Sequence, residues 1–205
     1  MSPRGADAAL VVDLDGVLRI WDPEIVASAE HGPVCPRAHS TARRSPTAAT
    51  LRAAVTGRIS DAEWRAGIAA RLVAVHGEAA AGAVADWSGP CGEVDQRVLA
   101  VLREQRRSRP VALPSNATDR LPRDLQRLGL DGELDAVVNS SELGLAKPDP
   151  EVFVAVCSAL GLPPYRCLFV DDQQVDVDAA ARVGLRAHLY RGPGEPAAVL
   201  QDGSG

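Results

Sequence analysis

The chain has 205 residues, of which 46% are hydrophobic and 24% are charged, and its formal net charge at pH 7 is −5. This length can bury a full hydrophobic core, either as one domain or as a core with a small insertion. The acidic balance argues against a general binder of nucleic acid or of membrane surfaces, and no apolar run approaches the ~18 residues of a membrane span.

The first predicted element is a short buried strand, Ala9-Leu10-Val11-Val12, which ends at Asp13-Leu14-Asp15-Gly16. An uninterrupted apolar run of this length is typical of a parallel strand whose carboxyl end opens into a loop. The same pattern recurs along the chain and predicts further strands at residues 110–113, 134–138, 167–170 and 186–190.

A stretch without any predicted strand, residues 20–92, interrupts this pattern directly after the first strand and predicts a helical insertion. Its clearest helix begins at Ser60, because Ser60 and Glu63 have the spacing of a capping box. Ile59 and Trp64 have the spacing of the hydrophobic staple that accompanies such a box. The insertion therefore contains at least one helix with an explicit start signal.

The rest of the insertion is less regular. A second helix is predicted from Glu78 to Trp87, and the two tryptophans Trp64 and Trp87 are expected to pack in the core of the insertion. Residues 28–50 contain three prolines, scattered arginines and no apolar period. That composition predicts a loop or a disordered segment.

Four further helices are predicted after the insertion, with limits set by N-cap residues, first-turn prolines and glycines that follow the last turn. Alternation of strands and helices implies a parallel sheet with helices on both faces, whose ligands bind beyond the carboxyl ends of the strands. The helices are residues 96–105 capped by Asp95, a helix capped by Thr118 and stopped by Gly129, one opened by Asp149-Pro150 and stopped by Gly161, and residues 175–183 stopped by Gly184.

Polar side chains follow several of the predicted strands. Lys147 is the only lysine in a sequence with 22 Lys and Arg residues, and a compact ammonium suits a narrow anionic pocket better than a broad guanidinium does. The adjacent carboxylates of Asp171 and Asp172 repel each other unless a cation or proton compensates them. An oxygen-liganded cation such as Mg²⁺ would do so.

Taken in order, the strings D-x-D-G-V, S-N, K-P and D-D-x-x-x-D resemble the four motifs of the haloacid dehalogenase superfamily of phosphohydrolases. The resemblance covers the whole core and is closest to sugar-phosphate phosphatases and the N-terminal phosphatase domain of soluble epoxide hydrolases. It implies an α/β fold, with a Rossmann-like parallel-sheet core formed by residues 7–19 and 93–205. Residues 20–92 would form a small all-α cap of type 1, inserted after the first strand.

The resemblance also implies the catalytic and metal-binding residues. Asp13 would be the nucleophile that attacks phosphorus and forms an aspartyl-phosphate. Asp15 would protonate the leaving oxygen and then activate the water that hydrolyses this intermediate. Mg²⁺ would be held by Asp13, Asp172 and the backbone carbonyl of Asp15.

The remaining motif residues would surround the phosphoryl group. Ser115 and the backbone amide of Asn116 would bind its oxygens, and Lys147 would neutralise the charge that develops during transfer. Asp171 and Asp176 would not bind Mg²⁺ directly but would orient its water ligands or Lys147.

The expected reaction is Mg²⁺-dependent hydrolysis of a small phosphorylated metabolite, for example a sugar phosphate. Asp15 favours phosphate over halide chemistry, because an alkoxide needs a proton to leave and a halide does not. A phosphosugar mutase of the same superfamily and a non-catalytic relative that binds a partner remain open, whereas the order of the motifs argues against a receiver-type signalling domain.

Other expectations concern the setting of the protein. The first residues lack the apolar core of a signal peptide, so a cytoplasmic protein is expected, without nucleic-acid or membrane partners and either monomeric or homodimeric. The cysteines form no C-x-x-C pair and are expected to be reduced thiols, mostly in the core. They are Cys35, Cys91, Cys157 and Cys167.

Overall fold

A five-stranded parallel sheet forms the centre of the computed structural model, which describes residues 9–21, 46–80, 82, 87, 89–192 and 195. The strand order is β5-β4-β1-β6-β7, and every neighbouring pair is parallel. The predicted α/β fold class is confirmed. The strands of this sheet are β1 Ala9–Val12, β4 Val111–Ser115, β5 Ala136–Asn139, β6 Cys167–Asp171 and β7 Arg186–Leu189.

Helices cover both faces of the sheet. Successive side chains of a strand point to opposite faces, and β1 divides accordingly: Leu10 and Val12 belong to one buried cluster, whereas Ala9 and Val11 belong to the other. All four residues are fully buried, which explains why this strand reads as a continuous apolar run. The helices after the insertion are α3 Gln96–Gln105, α4 Leu121–Arg127, α5 Ser140–Leu143, α6 Pro150–Leu160 and α7 Gln174–Val183.

The insertion lies between two short strands that pair antiparallel, β2 Arg19–Ile20 and β3 Glu93–Val94. Two of its helices fall within the described residues, α1 Pro46–Val55 and α2 Asp61–His76. The predicted capping box is confirmed, since Ser60 and Glu63 make both of its reciprocal bonds.

The insertion has its own apolar cluster. Trp64 is buried there, with Ile68 and Leu72 on the same helix. Trp87 meets Trp64 edge to face at 5.9 Å between ring centroids. This contact confirms the expectation that the two tryptophans pack together.

The insertion contacts segments that follow the carboxyl ends of the strands. A Cβ atom at Gly57 would lie 2.1 Å from the backbone oxygen of Ser141, so only glycine permits this approach. Arg52 pairs with Asp149 at 2.9 Å. These two contacts place the insertion beside Ser141 of α5 and beside Asp149 in the loop before α6.

Two details of the predicted elements differ from the structure. The loop predicted for residues 28–50 gives way to helix α1 at Pro46, and residues 22–45 lie outside the described part. Thr118 does not cap α4, whose N-cap is Arg120 without a side-chain bond. Its hydroxyl accepts from the Arg120 amide at 3.4 Å and donates to Asp61 of the insertion at 2.9 Å, so its shorter bond is a tertiary contact.

The helix predicted from Glu78 to Trp87 begins as a 3₁₀ turn, Glu78–Ala80. Most of its remaining length lies outside the described residues. None of the helices in the described ranges has the length and hydropathy that a membrane crossing requires.

Candidate active site

The centre of the site is formed by the ends of the three middle strands of the sheet. Val12 of β1 is in register with Val170 of β6, and the amide of Asp13 donates to the carbonyl of Val170 at 2.9 Å. Asp13 and Asp171 therefore leave the sheet side by side. Ser115 ends β4, on the other side of β1, so sheet order collects residues that are far apart in sequence.

Lys147 reaches this point from the loop before α6. Its Nζ donates to Asp13 Oδ1 at 2.7 Å and to Asp171 Oδ2 at 2.5 Å, and it lies 3.9 Å from Asp176 Oδ2. The side chains of all four residues are at most 5% exposed. Lys147 is thus a buried cation that these three carboxylates share.

The side chain of Asn116 holds the Lys147 backbone from both sides. Its Nδ2 donates to the Lys147 carbonyl at 3.0 Å, and its Oδ1 accepts from the Lys147 amide at 2.8 Å. The loop that carries the lysine is thereby fastened to the end of β4. The sequence motif predicts a role only for the backbone amide of Asn116 and gives no signal for this use of its side chain.

A group of carboxylates next to Lys147 has the geometry of a cation site. Asp13, Asp171 and Asp172 each offer an oxygen, and these atoms lie within 4.8 Å of one another. Oxygen donors in such a cluster suit a hard divalent cation such as Mg²⁺. The sequence predicts Asp13, Asp172 and the backbone carbonyl of Asp15 as ligands, with Asp171 orienting water ligands or Lys147. The structure brings the carboxylate of Asp171 into one cluster with those of Asp13 and Asp172.

Gly16 shapes the wall of this cation site. Its φ is +82°, and a Cβ atom there would lie 2.3 Å from Asp172 Oδ2. Only glycine combines this left-handed backbone with so close an approach. Gly16 therefore keeps open the space in which Asp172 presents its carboxylate.

We expect Gly16→Ala to weaken Mg²⁺ binding by about tenfold or more, because the added methyl group must displace Asp172. Gly132→Ala is the matched control, since Gly132 has φ +79° but nothing within 4 Å of the added carbon. Both variants should lose about 1–2 kcal/mol of stability from the left-handed backbone. Isothermal titration with Mg²⁺ separates them, and equal affinities would refute a role for Gly16 at the cation site.

Burial and charge act in opposite directions on the ionisable groups. Burial raises the pKa of Asp13 to about 6, although the ammonium of Lys147 acts to lower it. Burial likewise raises the pKa of Asp171 above its ordinary value. Burial disfavours the charged form of Lys147, but the carboxylates of Asp13, Asp171 and Asp176 outweigh it and raise the pKa of Lys147. The lysine stays charged amid an excess of carboxylates.

A pH dependence of stability follows for protein stripped of divalent cations with EDTA. The pKa of Asp13 is about 6 in the folded state against an ordinary 3.8, so the folded chain binds more protons between these values. Stability should therefore fall as pH rises through this window. Urea unfolding from pH 4 to pH 7 measures it, and a slope no smaller in Asp13→Asn than in the wild type would contradict the assignment.

Asp15 is held by residues that the sequence analysis did not single out. Arg19 binds both of its oxygens, each at 2.7 Å, and the indole nitrogen of Trp21 donates to Oδ1 at 2.7 Å. The only signal for this contact in the sequence was the position of Arg-x-Trp directly after the D-x-D-G-V-L string. An arginine in a loop is ordinarily solvated, so that signal carries little weight by itself.

Comparisons with known proteins give one family match and several partial matches to curated proteins. The family described as haloacid dehalogenase-like hydrolase matches residues 8–184. A GMP/IMP nucleotidase of Escherichia coli is 40% identical over 62 residues, which are 30% of this chain and 28% of the nucleotidase. A phosphoglycolate phosphatase of Cupriavidus necator is 35% identical over 126 residues, which are 58% of this chain and 54% of that protein.

Solved structures resemble the chain over most of its length. A haloacid dehalogenase family enzyme of Bacteroides thetaiotaomicron, crystallised with magnesium and inorganic phosphate, superposes with a TM-score of 0.70. It shares 22% sequence identity, and the match covers 92% of this chain and 96% of that one. The structural likeness extends over far more of the chain than the curated sequence matches do, and it establishes the fold.

Proposed function

The chain belongs to the haloacid dehalogenase-like hydrolases, and on this premise we propose that it hydrolyses a small phosphomonoester with Mg²⁺ through an aspartyl-phosphate on Asp13. The observation that carries the proposal is the buried cluster in which Lys147 lies 2.7 Å from Asp13 and 2.5 Å from Asp171. A cation beside a carboxylate nucleophile is suited to a substrate that brings its own negative charge.

In the first step, a carboxylate oxygen of Asp13 attacks phosphorus in line with the leaving oxygen. The Asp13–phosphorus bond forms as the bond to the leaving oxygen breaks, and Asp15 gives its proton to that oxygen. Lys147 neutralises charge on the transferring group, while Ser115 and the amide of Asn116 bind its oxygens.

In the second step, Asp15, now a carboxylate, takes a proton from water as the water oxygen attacks phosphorus. The bond between phosphorus and Asp13 breaks, so inorganic phosphate leaves and the Asp13 carboxylate is restored. Both steps require Asp15 to face the axis of transfer from the side opposite to Asp13.

The carboxylates of the cation site fit Mg²⁺ in number and kind, with Asp13 and Asp172 as ligands together with the backbone carbonyl of Asp15. Bound there, Mg²⁺ would screen the phosphoryl group from the like charge of the nucleophile. Asp171 adds a carboxylate to the same cluster, and Asp176 supports Lys147 from α7.

Asp15 supports a phosphatase over a dehalogenase, because proton donation serves an alkoxide and not a halide. The names of the two relatives, a nucleotidase and a phosphoglycolate phosphatase, support a small phosphorylated metabolite as the class of substrate. These relatives are matched over only 28% and 54% of their lengths, so neither substrate is assigned to this chain.

The test is phosphate release from a panel of sugar phosphates, nucleotides, short phosphoesters and aryl phosphates, with Mg²⁺ and with EDTA. We expect turnover that requires Mg²⁺ and needs no bisphosphate activator. Turnover that appears only with a sugar bisphosphate would indicate a phosphomutase instead. Mg²⁺ binding without turnover of any ester would overturn the proposal in favour of a non-catalytic relative.

A further inference from the structure

The carboxylate of Asp15 accepts three short hydrogen bonds. Two end on Oδ1, from Arg19 Nε and Trp21 Nε1, and one ends on Oδ2, from the second guanidinium nitrogen of Arg19. A bidentate guanidinium bond defines the plane of a carboxylate as well as its position. The orientation of Asp15 is therefore set by these two neighbours.

The side chain of Arg19 is itself buried and closely packed by its neighbours. Its side chain is 7% exposed, and the guanidinium lies over the Trp21 ring at 4.8 Å from the centroid. A Cβ atom at Gly92 would lie 2.9 Å from Arg19 Cγ, so the stem of the arginine occupies the place that a larger residue at position 92 would need. An arginine enclosed in this way cannot swing freely into solvent.

A second carboxylate also lies near the guanidinium of Arg19. Asp124 of α4 lies 3.7 Å from the guanidinium, and Asp124 in turn accepts from Arg120 at 2.8 Å. Arg120 also donates to the carbonyl of Pro90 at 3.1 Å, just before β3. A chain of charged contacts thus runs from the base of the insertion through Asp124 and Arg19 to Asp15.

We propose that Arg19, assisted by Trp21, is the positioning residue that aims the Asp15 carboxylate at the leaving-group oxygen. This inference rests on the proposed function of the same site, in which Asp15 passes a proton to that oxygen. Moving the charges of Arg19 and Asp15 out of water costs free energy. An apolar residue at position 19 could pack at the base of the insertion without that cost. The bidentate geometry gives Arg19 a task that simple packing would not require.

Loss of Arg19 should affect esters with poor leaving groups more than esters with good ones. An ester with a poor leaving group depends on proton donation, whereas one with a stabilised leaving anion departs with little help. Phenyl phosphate and p-nitrophenyl phosphate have closely similar shapes, but the nitro group stabilises the departing phenolate. Loss of Arg19 should therefore slow phenyl phosphate far more than p-nitrophenyl phosphate, whereas a general loss of folded enzyme would slow both equally.

The experiment measures kcat/KM of the Mg²⁺-loaded full chain for both esters. Arg19→Lys keeps the charge but loses the planar fork, and it should lower kcat/KM for phenyl phosphate by about 10- to 100-fold. The loss for p-nitrophenyl phosphate should stay below about threefold. Asp15→Asn removes the proton donor altogether, so it sets the upper limit for the loss of kcat/KM with phenyl phosphate relative to p-nitrophenyl phosphate. Arg19→Lys should stay below that limit, because a misoriented proton donor still contributes to the rate. Arg103→Lys, the same change in an exposed pair with Glu133, should change neither rate.

Trp21→Phe provides a second variant that keeps the ring under Arg19 and removes one hydrogen bond. It should lower kcat/KM for phenyl phosphate by about threefold to tenfold, with the same selectivity. Equal losses with both esters in folded Arg19→Lys and Trp21→Phe would overturn the inference and leave the phosphatase proposal standing. Absence of turnover of every ester of the panel by the wild type, these two included, would overturn the proposed function, and the inference with it.

Discussion

Asp13→Asn is expected to lower phosphate release by about 10⁴-fold or more while leaving the protein folded. The amide is a poor nucleophile and cannot form the acyl phosphate on which the second step depends. The substitution changes one atom in a residue that is 3% exposed, so packing around it is preserved. Initial rates with the best ester of the panel, at saturating Mg²⁺, measure the loss.

The matched control for Asp13→Asn is Asp178→Asn. Asp178 is an exposed carboxylate on α7 that accepts a hydrogen bond from Gln174, and its amide variant should retain the wild-type rate. Trapping of phosphate on protein after a rapid acid quench provides an independent reading, since the wild type should carry label from the ester and Asp13→Asn should not. Label that persists in Asp13→Asn would show that another side chain is the nucleophile.

Lys147→Met is expected to lower the free energy of unfolding by about 3–5 kcal/mol. The variant leaves the carboxylates of Asp13, Asp171 and Asp176 without their shared cation, which lies within 2.7, 2.5 and 3.9 Å of them. Methionine approximates the shape of the lysine stem, so the loss comes mainly from charge. Urea unfolding in EDTA at neutral pH measures it.

Two comparisons distinguish lost charge from lost packing at position 147. Mg²⁺ should raise the unfolding midpoint of Lys147→Met more than that of the wild type, because a second cation then offsets some of the uncompensated charge. Arg107→Met, which removes an exposed cation paired with Glu104, should change stability by less than about 1 kcal/mol. A Lys147→Met protein as stable as this control would show that the buried carboxylates are not held by the lysine.

Local patterns in the sequence were sufficient for the elements of the core. Short sequence patterns predicted each strand of the sheet to within two residues at either end. The central strands β1, β4 and β6 are buried along their whole length and are largely apolar runs, whereas the edge strands β5 and β7 are partly exposed. Asp95 caps α3 as its position indicates, and Gly161 and Gly184 end their helices in the left-handed conformation. These are interactions between residues close in sequence.

Contacts between distant segments escaped the sequence analysis. Thr118 is a good N-cap residue by type, but its hydroxyl bonds to Asp61, 57 residues away. The side chain of Asn116 is committed to the loop of Lys147, 31 residues away. Neither partner can be identified from a local pattern, because the choice depends on which loops the fold brings together.

The sequence by itself determined the α/β fold class, the family, and the residue types at the candidate site, since strand ends and motif spacing are properties of short segments. Only the tertiary structure decided which of these side chains touch: Lys147 with Asp13 and Asp171, and Asp15 with Arg19. The physical reason is that the order of strands in the sheet, and not their order in the chain, sets the distances over which charges and hydrogen bonds act.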